Sequence, residues 1–109
     1  ETMLPLLLER ARRGDVSYER VRDVTATNVA EIFGLPRKGR VAEGYDADLV
    51  LVDPEDERKI LGDDLHSKCG WTPFEGLSGV FPVLTMVRGE IVYDGEEVVG
   101  EPIGENVRR

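Results

Sequence analysis

The stretch LHSKCGWTPFEG, residues 65–76, holds the only His, the only Cys and the only Trp of this 109-residue chain. These are the side chains from which metal sites and nucleophilic sites are most often built. Read as a metal site, the stretch offers His66 and Cys69, whereas a closed zinc site takes about four protein ligands and a catalytic one about three. Read as a nucleophilic site, Cys69 needs a base beside it and a third group to orient that base, and nothing in the spacing identifies such an arrangement. Trp71 and Phe74 flank Thr72-Pro73 and have the size of apolar anchors that pin a loop to another surface. The surrounding span, Gly62 to Gly79, shows neither helical nor alternating spacing, and a loop of that length is functional or packed on a neighbour. The structural reading is preferred on these grounds: Cys69→Ser and His66→Ala are expected to be close to neutral. The competing reading, a loop that closes over a substrate, stays open.

Composition bounds what such a loop belongs to. With 109 residues, 40% of them hydrophobic, the chain can form one domain, or parts of two, around a modest core. A formal charge of −8 opposes approach to phosphate, so nucleic acid is excluded as a partner. The acid excess suits an ordinary solvated surface or a high-salt habitat. A single cysteine cannot close an intrachain disulfide, no signal-peptide pattern is present, and no apolar run reaches the roughly 18 residues of a membrane span. A soluble, cytoplasmic protein is expected.

The elements that must position the loop are helical first and β later. Leu4, Leu7, Leu8 and Ala11 fall at helical spacing, and Arg10, Arg12 and Arg13 crowd the last turn before Gly14, where cations suit the dipole and Gly suits the cap. Val16, Val21 and Val24 predict a second short helix with Asp15 or Ser17 as cap. TNVAEIFGLP predicts a third, with Asn28 as N-cap, Glu31 completing a capping box, and Gly34 and Pro36 closing it. After Pro36 the period changes. DLVLVDP reads as a strand buried on both faces and stopped by Asp53-Pro54. PVLTMVRGEIVYDGEEVVG reads as a hairpin turning at Arg88-Gly89-Glu90, with Asp94-Gly95 leading into Val98-Val99. Gly44 and Asp46 are expected to form the turn that launches the first strand, and Arg40 to pair with one of the nearby acids. Asp48 reads equally as a turn residue and as a solvated strand-entry residue. Leu49, Leu51, Val83, Met86, Ile91 and Val92 are the candidate core. The tail EPIGENVRR is expected to run over the surface. Because the chain opens inside an amphipathic run, it reads as a piece of something longer.

Resemblance adds what spacing cannot. TATNVAEIFGLPRKGRVAEGYDADLVLVDPE resembles the segment of the cyclic-amidohydrolase superfamily that leads from the last barrel helix into a small β domain, usually written Asn-Pro-Ala-x-x-Phe-Gly-Leu, then Lys-Gly, then Gly-x-Asp-Ala-Asp-Leu. Val29 stands where that pattern has Pro, a change of small cost because Pro at the first helical position is favoured but not required. HSKCGWTPFEG followed by PVLTMVRGEIVYDGE is similar to the dihydroorotase family in particular, and ETMLPLLL to the helix after its last metal-binding strand.

The resemblance implies an α+β fragment: terminal helices of a (β/α)8 TIM barrel over residues 1–35, then the C-terminal strands of a composite β-sandwich over residues 36–109, with loop 62–79 and the tail. It further implies a zinc-dependent hydrolase of pyrimidine biosynthesis that interconverts dihydroorotate and N-carbamoyl-aspartate through metal-bound hydroxide and a proton-shuttling Asp, acting as a homo-oligomer on a small-molecule substrate. The family's His-x-His pair, bridging Lys or Asp, two further His and catalytic Asp all correspond to positions before Glu1. No catalytic, substrate-binding or metal residue therefore transfers to this chain, Lys68 is not the bridging lysine, and the chain alone is expected to be inactive. Two alternatives remain: the same region of a dihydropyrimidinase, hydantoinase or allantoinase, or a non-catalytic assembly module.

Overall fold

The computed structural model describes residues 1–107. They fall into two compact units, each drawn from two stretches of chain: residues 1–21 with 53–81, and residues 22–52 with 82 onward. The elements in order are α1 (Met3–Arg12), α2 (Tyr18–Arg22), a π-turn (Asp23–Thr27), α3 (Asn28–Phe33), β1 (Leu49–Lys59), a 3-10 turn (Gly62–Asp64), β2 (Ser78–Val87) and β3 (Glu90–Tyr93).

In the first unit, α1 ends where the sequence places its stop. The N–H of Gly14 bonds the carbonyl of Ala11 and that of Asp15 the carbonyl of Arg10, with Gly14 left-handed at φ +85°. Pro5 is tolerated because first-turn N–H groups have no intrahelical partner. Its buried ring lies against Gly79, where an added Cβ would stand 3.0 Å from the Pro5 Cβ. Leu8, Ala11, Val21, Ile60 and Val80 are the buried hydrophobic residues of this unit. One acid joins them: Glu9 is 4% exposed. Its carboxylate receives Arg12 Nε at 2.8 Å and Arg13 Nε at 2.5 Å, and Arg12 reaches on to Glu57 at 2.6 Å.

The Arg12 hydrogen bonds, opposed by burial and reinforced by Arg13, bring the Glu9 carboxyl down to about 2 from an ordinary 4.5. A folded-state value below the unfolded one means stability that is complete above pH 4.5 and lost as pH falls toward 2. Because both guanidinium groups reach solvent, the contribution is about 1–2 kcal/mol. Thermal midpoints of the full-length protein across that window should slope downward with acid, and Glu9→Gln should flatten the slope.

From α2, whose residues 18–21 close the first unit's opening stretch, the helical residues continue through the π-turn without a break into α3 of the second unit. Two separate helices are expected from the sequence, with Val24 on the apolar stripe. The π-turn's extra residue shifts the face, and Val24 is 40% exposed. Ser17 does cap α2, accepting the Arg20 N–H at 3.1 Å. Asn28 caps nothing; the Thr27 hydroxyl instead donates to the Gly39 carbonyl at 2.8 Å. Gly34 closes α3 at φ +61° as expected.

The sheet has the order β1-β2-β3. β1 runs through Asp53-Pro54 rather than stopping there. As an edge strand it has one side free of pairing, and a proline without an N–H is accommodated on such a strand. The β2–β3 hairpin pairs Val87 with Glu90 across Arg88-Gly89, whose φ values of +45° and +84° are those of a type I′ turn. Glu90 is thus the first residue of β3 rather than part of the turn. Asp94-Gly95 turns the chain again into a bridge between Tyr93 and Val98.

The candidate core fails. None of Leu49, Leu51, Val83, Met86, Ile91 and Val92 is buried, and Leu51 is 57% exposed. A strand apolar on both faces reads as doubly covered, and nothing among the described residues supplies that cover. Along the tail, residues 101–107 are exposed apart from half-buried Ile103, whose carbonyl accepts from Arg88. Arg108 and Arg109 lie outside the described residues.

Candidate functional site

Loop 62–79 belongs to the first unit and is built from its base outward. The Ile60 N–H bonds the Leu77 carbonyl and the Gly76 N–H bonds the Ile60 carbonyl, both at 2.8 Å. The Gly62 N–H donates to Glu75 Oε2 at 2.7 Å. Gly62 is buried so tightly that a Cβ there would lie 2.8 Å from the Gly70 oxygen and 2.8 Å from the Trp71 Cα. Thr72 is buried, and its hydroxyl accepts the Phe74 N–H at 3.2 Å.

The rare residues diverge on this frame. His66 turns to Glu1: its main-chain N–H donates to Glu1 Oε2 at 2.9 Å, and its Nδ1 lies 2.8 Å from Oε1. Burial raises the Glu1 carboxyl, but the hydrogen bonds from His66 outweigh it and leave it below its ordinary value. Cys69 is exposed, with its Sγ 3.4 Å from the Ser67 Oγ and 3.4 Å from the Trp71 carbonyl. Histidine and thiol therefore have different partners. Trp71 is 64% exposed and Phe74 38%, so they do not anchor the loop within this chain. Among the described residues, no group of three or more His, Cys, Asp and Glu side chains is placed to hold a metal ion.

A second cluster lies in the second unit, where the chain enters β1. Gly44 adopts φ +82°, and the Tyr45 N–H bonds the Ala42 carbonyl, which forms the expected turn. The acids of this turn do not pair with Arg40, which reaches Glu31 at 2.7 Å. Lys38 takes them instead, 2.9 Å from Asp46 and in close contact with Asp48. The hydrogen bonds that Lys38 donates to Asp48 and then to Asp46 raise its ammonium above its ordinary value. Asp48 also accepts the Arg88 N–H at 2.9 Å, and Gly89 donates to the Ala47 carbonyl at 3.1 Å, so the strained hairpin turn is docked onto the strand entry.

Beside this node opens a cleft of about 500 Å³ lined by Val29, Leu35, Val41 and Val87. Its basic walls are spoken for: Arg22 pairs with Asp23, Lys38 with Asp46 and Asp48, Arg40 with Glu31, and Arg88 with Glu105. Among the described residues, what remains is an apolar groove without a free cation to orient a charged small molecule.

Comparison with known proteins places the chain. Residues 2–92 match the amidohydrolase family, and the chain belongs to that family. It is 65% identical over 109 residues to a dihydroorotase of Halobacterium salinarum, covering 100% of this chain and 26% of that protein. It is 43% identical over 104 residues to a dihydroorotase of Methanosarcina acetivorans, covering 94% of this chain and 22% of that one. Among solved structures, a D-hydantoinase from a Thermus species superposes with a TM-score of 0.93 at 35% identity, over 100% of this chain and 25% of that one. An L-hydantoinase from Arthrobacter aurescens superposes with a TM-score of 0.87 at 38% identity, over 93% and 23%. The chain thus spans about a quarter of the length of the proteins it matches.

Proposed function

We propose that the chain is the C-terminal part of a dihydroorotase, a metal-dependent hydrolase that opens the dihydroorotate ring to N-carbamoyl-aspartate, and the reverse, in pyrimidine biosynthesis. The observation that carries this reading is the 65% identity to a dihydroorotase across the whole chain. In the full-length protein residues 1–35 supply the last helices of a (β/α)8 barrel, and residues 36–109 the C-terminal part of a small β-sandwich domain. The enzyme is cytoplasmic and homo-oligomeric.

The chain's own contribution is packing. Ile32 is 76% exposed, Phe33 68%, Val41 87% and Trp71 64%, large apolar side chains of the kind that a protein surface covers. These side chains, the groove beside Lys38 and the open faces of β1 and β2 are where the rest of the protein packs. Zinc does not fit the residues present: no ligand cluster exists among the described residues, His66 is engaged by Glu1, and Cys69 stands apart. The ion's ligands and the catalytic groups are assigned to the rest of the protein, and none to this chain.

Superposition on the D-hydantoinase over the whole chain favours a second reading, the same region of a hydantoinase or dihydropyrimidinase. The two separate in the specificity of the purified full-length enzyme. Because a site built to bond a substrate carboxylate rejects analogues that lack it, kcat/KM for dihydroorotate should exceed that for dihydrouracil and 5-substituted hydantoins by at least about a hundredfold. The opposite order would establish the second reading.

A further inference from the structure

Loop 62–79 makes a contact that its sequence does not announce. Its base is closed by main-chain bonds next to β1 and β2, yet its outer part is tied to a segment 65 residues away by a two-point bond, Glu1 Oε2 to the His66 main chain at 2.9 Å and Oε1 to Nδ1 at 2.8 Å. Two bonds from one carboxylate fix the orientation as well as the position of its partner. The His66 side chain is 61% exposed and that of Glu1 37%, so the pair is too open to contribute much to global stability. Local order is the effect such a pair can have.

Glu1 stands two residues before α1. In a (β/α)8 barrel each helix follows its strand through a βα loop, and those loops build the substrate site at one face of the barrel. The N-terminal end of a barrel helix therefore adjoins that face. Resting on the reading of α1 as a barrel helix, we propose that the Glu1–His66 clasp ties loop 62–79 of the small domain to the βα loop that precedes α1. Glu1 and His66 are then positioning residues for the substrate-binding rim. They touch no reacting atom; they fix the edge of the substrate site, where a displacement of about 1 Å can cost up to a hundredfold in rate. His66, expected from its sequence context to be replaceable, becomes the loop's point of attachment.

The test uses the full-length enzyme with Glu1→Ala, Glu1→Gln, His66→Ala and the Glu1→Ala/His66→Ala double variant, assayed on dihydroorotate. Each alanine variant should lower kcat/KM about tenfold, mainly through KM, with the melting temperature within about 2 °C of wild type. The double variant should be no worse than the poorer single one, because both remove the same interaction. Glu1→Gln keeps an oxygen for the His66 N–H and should recover most of the loss. Hydrogen exchange should quicken together in residues 65–71 and in the segment just before α1. A kcat/KM within twofold of wild type in both alanine variants, or faster exchange confined to the loop, overturns the proposal. So does a melting drop above about 5 °C with turnover of the folded fraction unchanged, which would assign the pair to stability. A wild-type enzyme without cyclic-amide turnover overturns the functional reading itself, and the exchange data then decide separately whether the clasp couples the two segments.

Discussion

Gly39→Ala in the full-length protein should destabilise it by about 2–4 kcal/mol, whereas Gly44→Ala should cost about 1 kcal/mol. Both glycines have nearly the same left-handed backbone, φ +83° and φ +82°, so the strain of placing an L side chain there is shared. Their surroundings differ. A Cβ at Gly39 would stand 2.8 Å from the Ala26 carbonyl oxygen and 2.8 Å from the Ala30 Cβ, while one at Gly44 would meet nothing within 4 Å. Neither obstacle at Gly39 is the movable end of a long side chain, and Ala30 is buried. The connection would have to lift off the helix, breaking the 2.8 Å bond from the Thr27 hydroxyl to the Gly39 carbonyl. Urea midpoints of the two variants check this, and equal losses would show that close approach to the helix is not what requires glycine at 39.

Features set by a few neighbouring residues were legible: the stop of α1 at Gly14, the cap at Ser17, the hairpin at Arg88-Gly89 and the second turn at Asp94-Gly95. Each rests on local chemistry, a left-handed glycine or a side chain reaching a nearby N–H. Features that need a distant partner were not. Arg40 and Lys38 are alike in charge and lie near the same acids, and only the folded turn decides that Lys38 takes Asp46 and Asp48. The bond between Glu1 and His66 joins residues 65 positions apart and has no periodic signal. Leu51 and Ile91 were assigned to a core because an apolar strand implies cover, but sequence does not say whether that cover comes from the same stretch of chain. Here the chain spans about a quarter of its relatives, and the cover is proposed to come from the remainder. At residues 65–76 the count of donors argues against a metal site, and the bond of His66 to Glu1 has no counterpart in local spacing.

The largest effect expected concerns chemistry. A barrel enzyme draws its ligands and its acid and base from the ends of several strands, and those strands are assigned to the part of the protein outside these 109 residues. No substitution within the chain should therefore abolish metal binding, whereas separating the chain from the barrel should abolish both metal binding and turnover. Rate enhancements of enzymes begin at about a millionfold, so the contrast leaves a wide margin over background hydrolysis.

The most direct measurement is a paired one: bound zinc by elemental analysis and dihydroorotate turnover, for the full-length protein and for residues 1–109 expressed alone, after dialysis against a weak chelator. The account predicts retained zinc and turnover for the full-length protein, and neither for residues 1–109. Stoichiometric zinc on residues 1–109 that is lost on His66→Ala, or dihydroorotate hydrolysis by that chain alone, would contradict it.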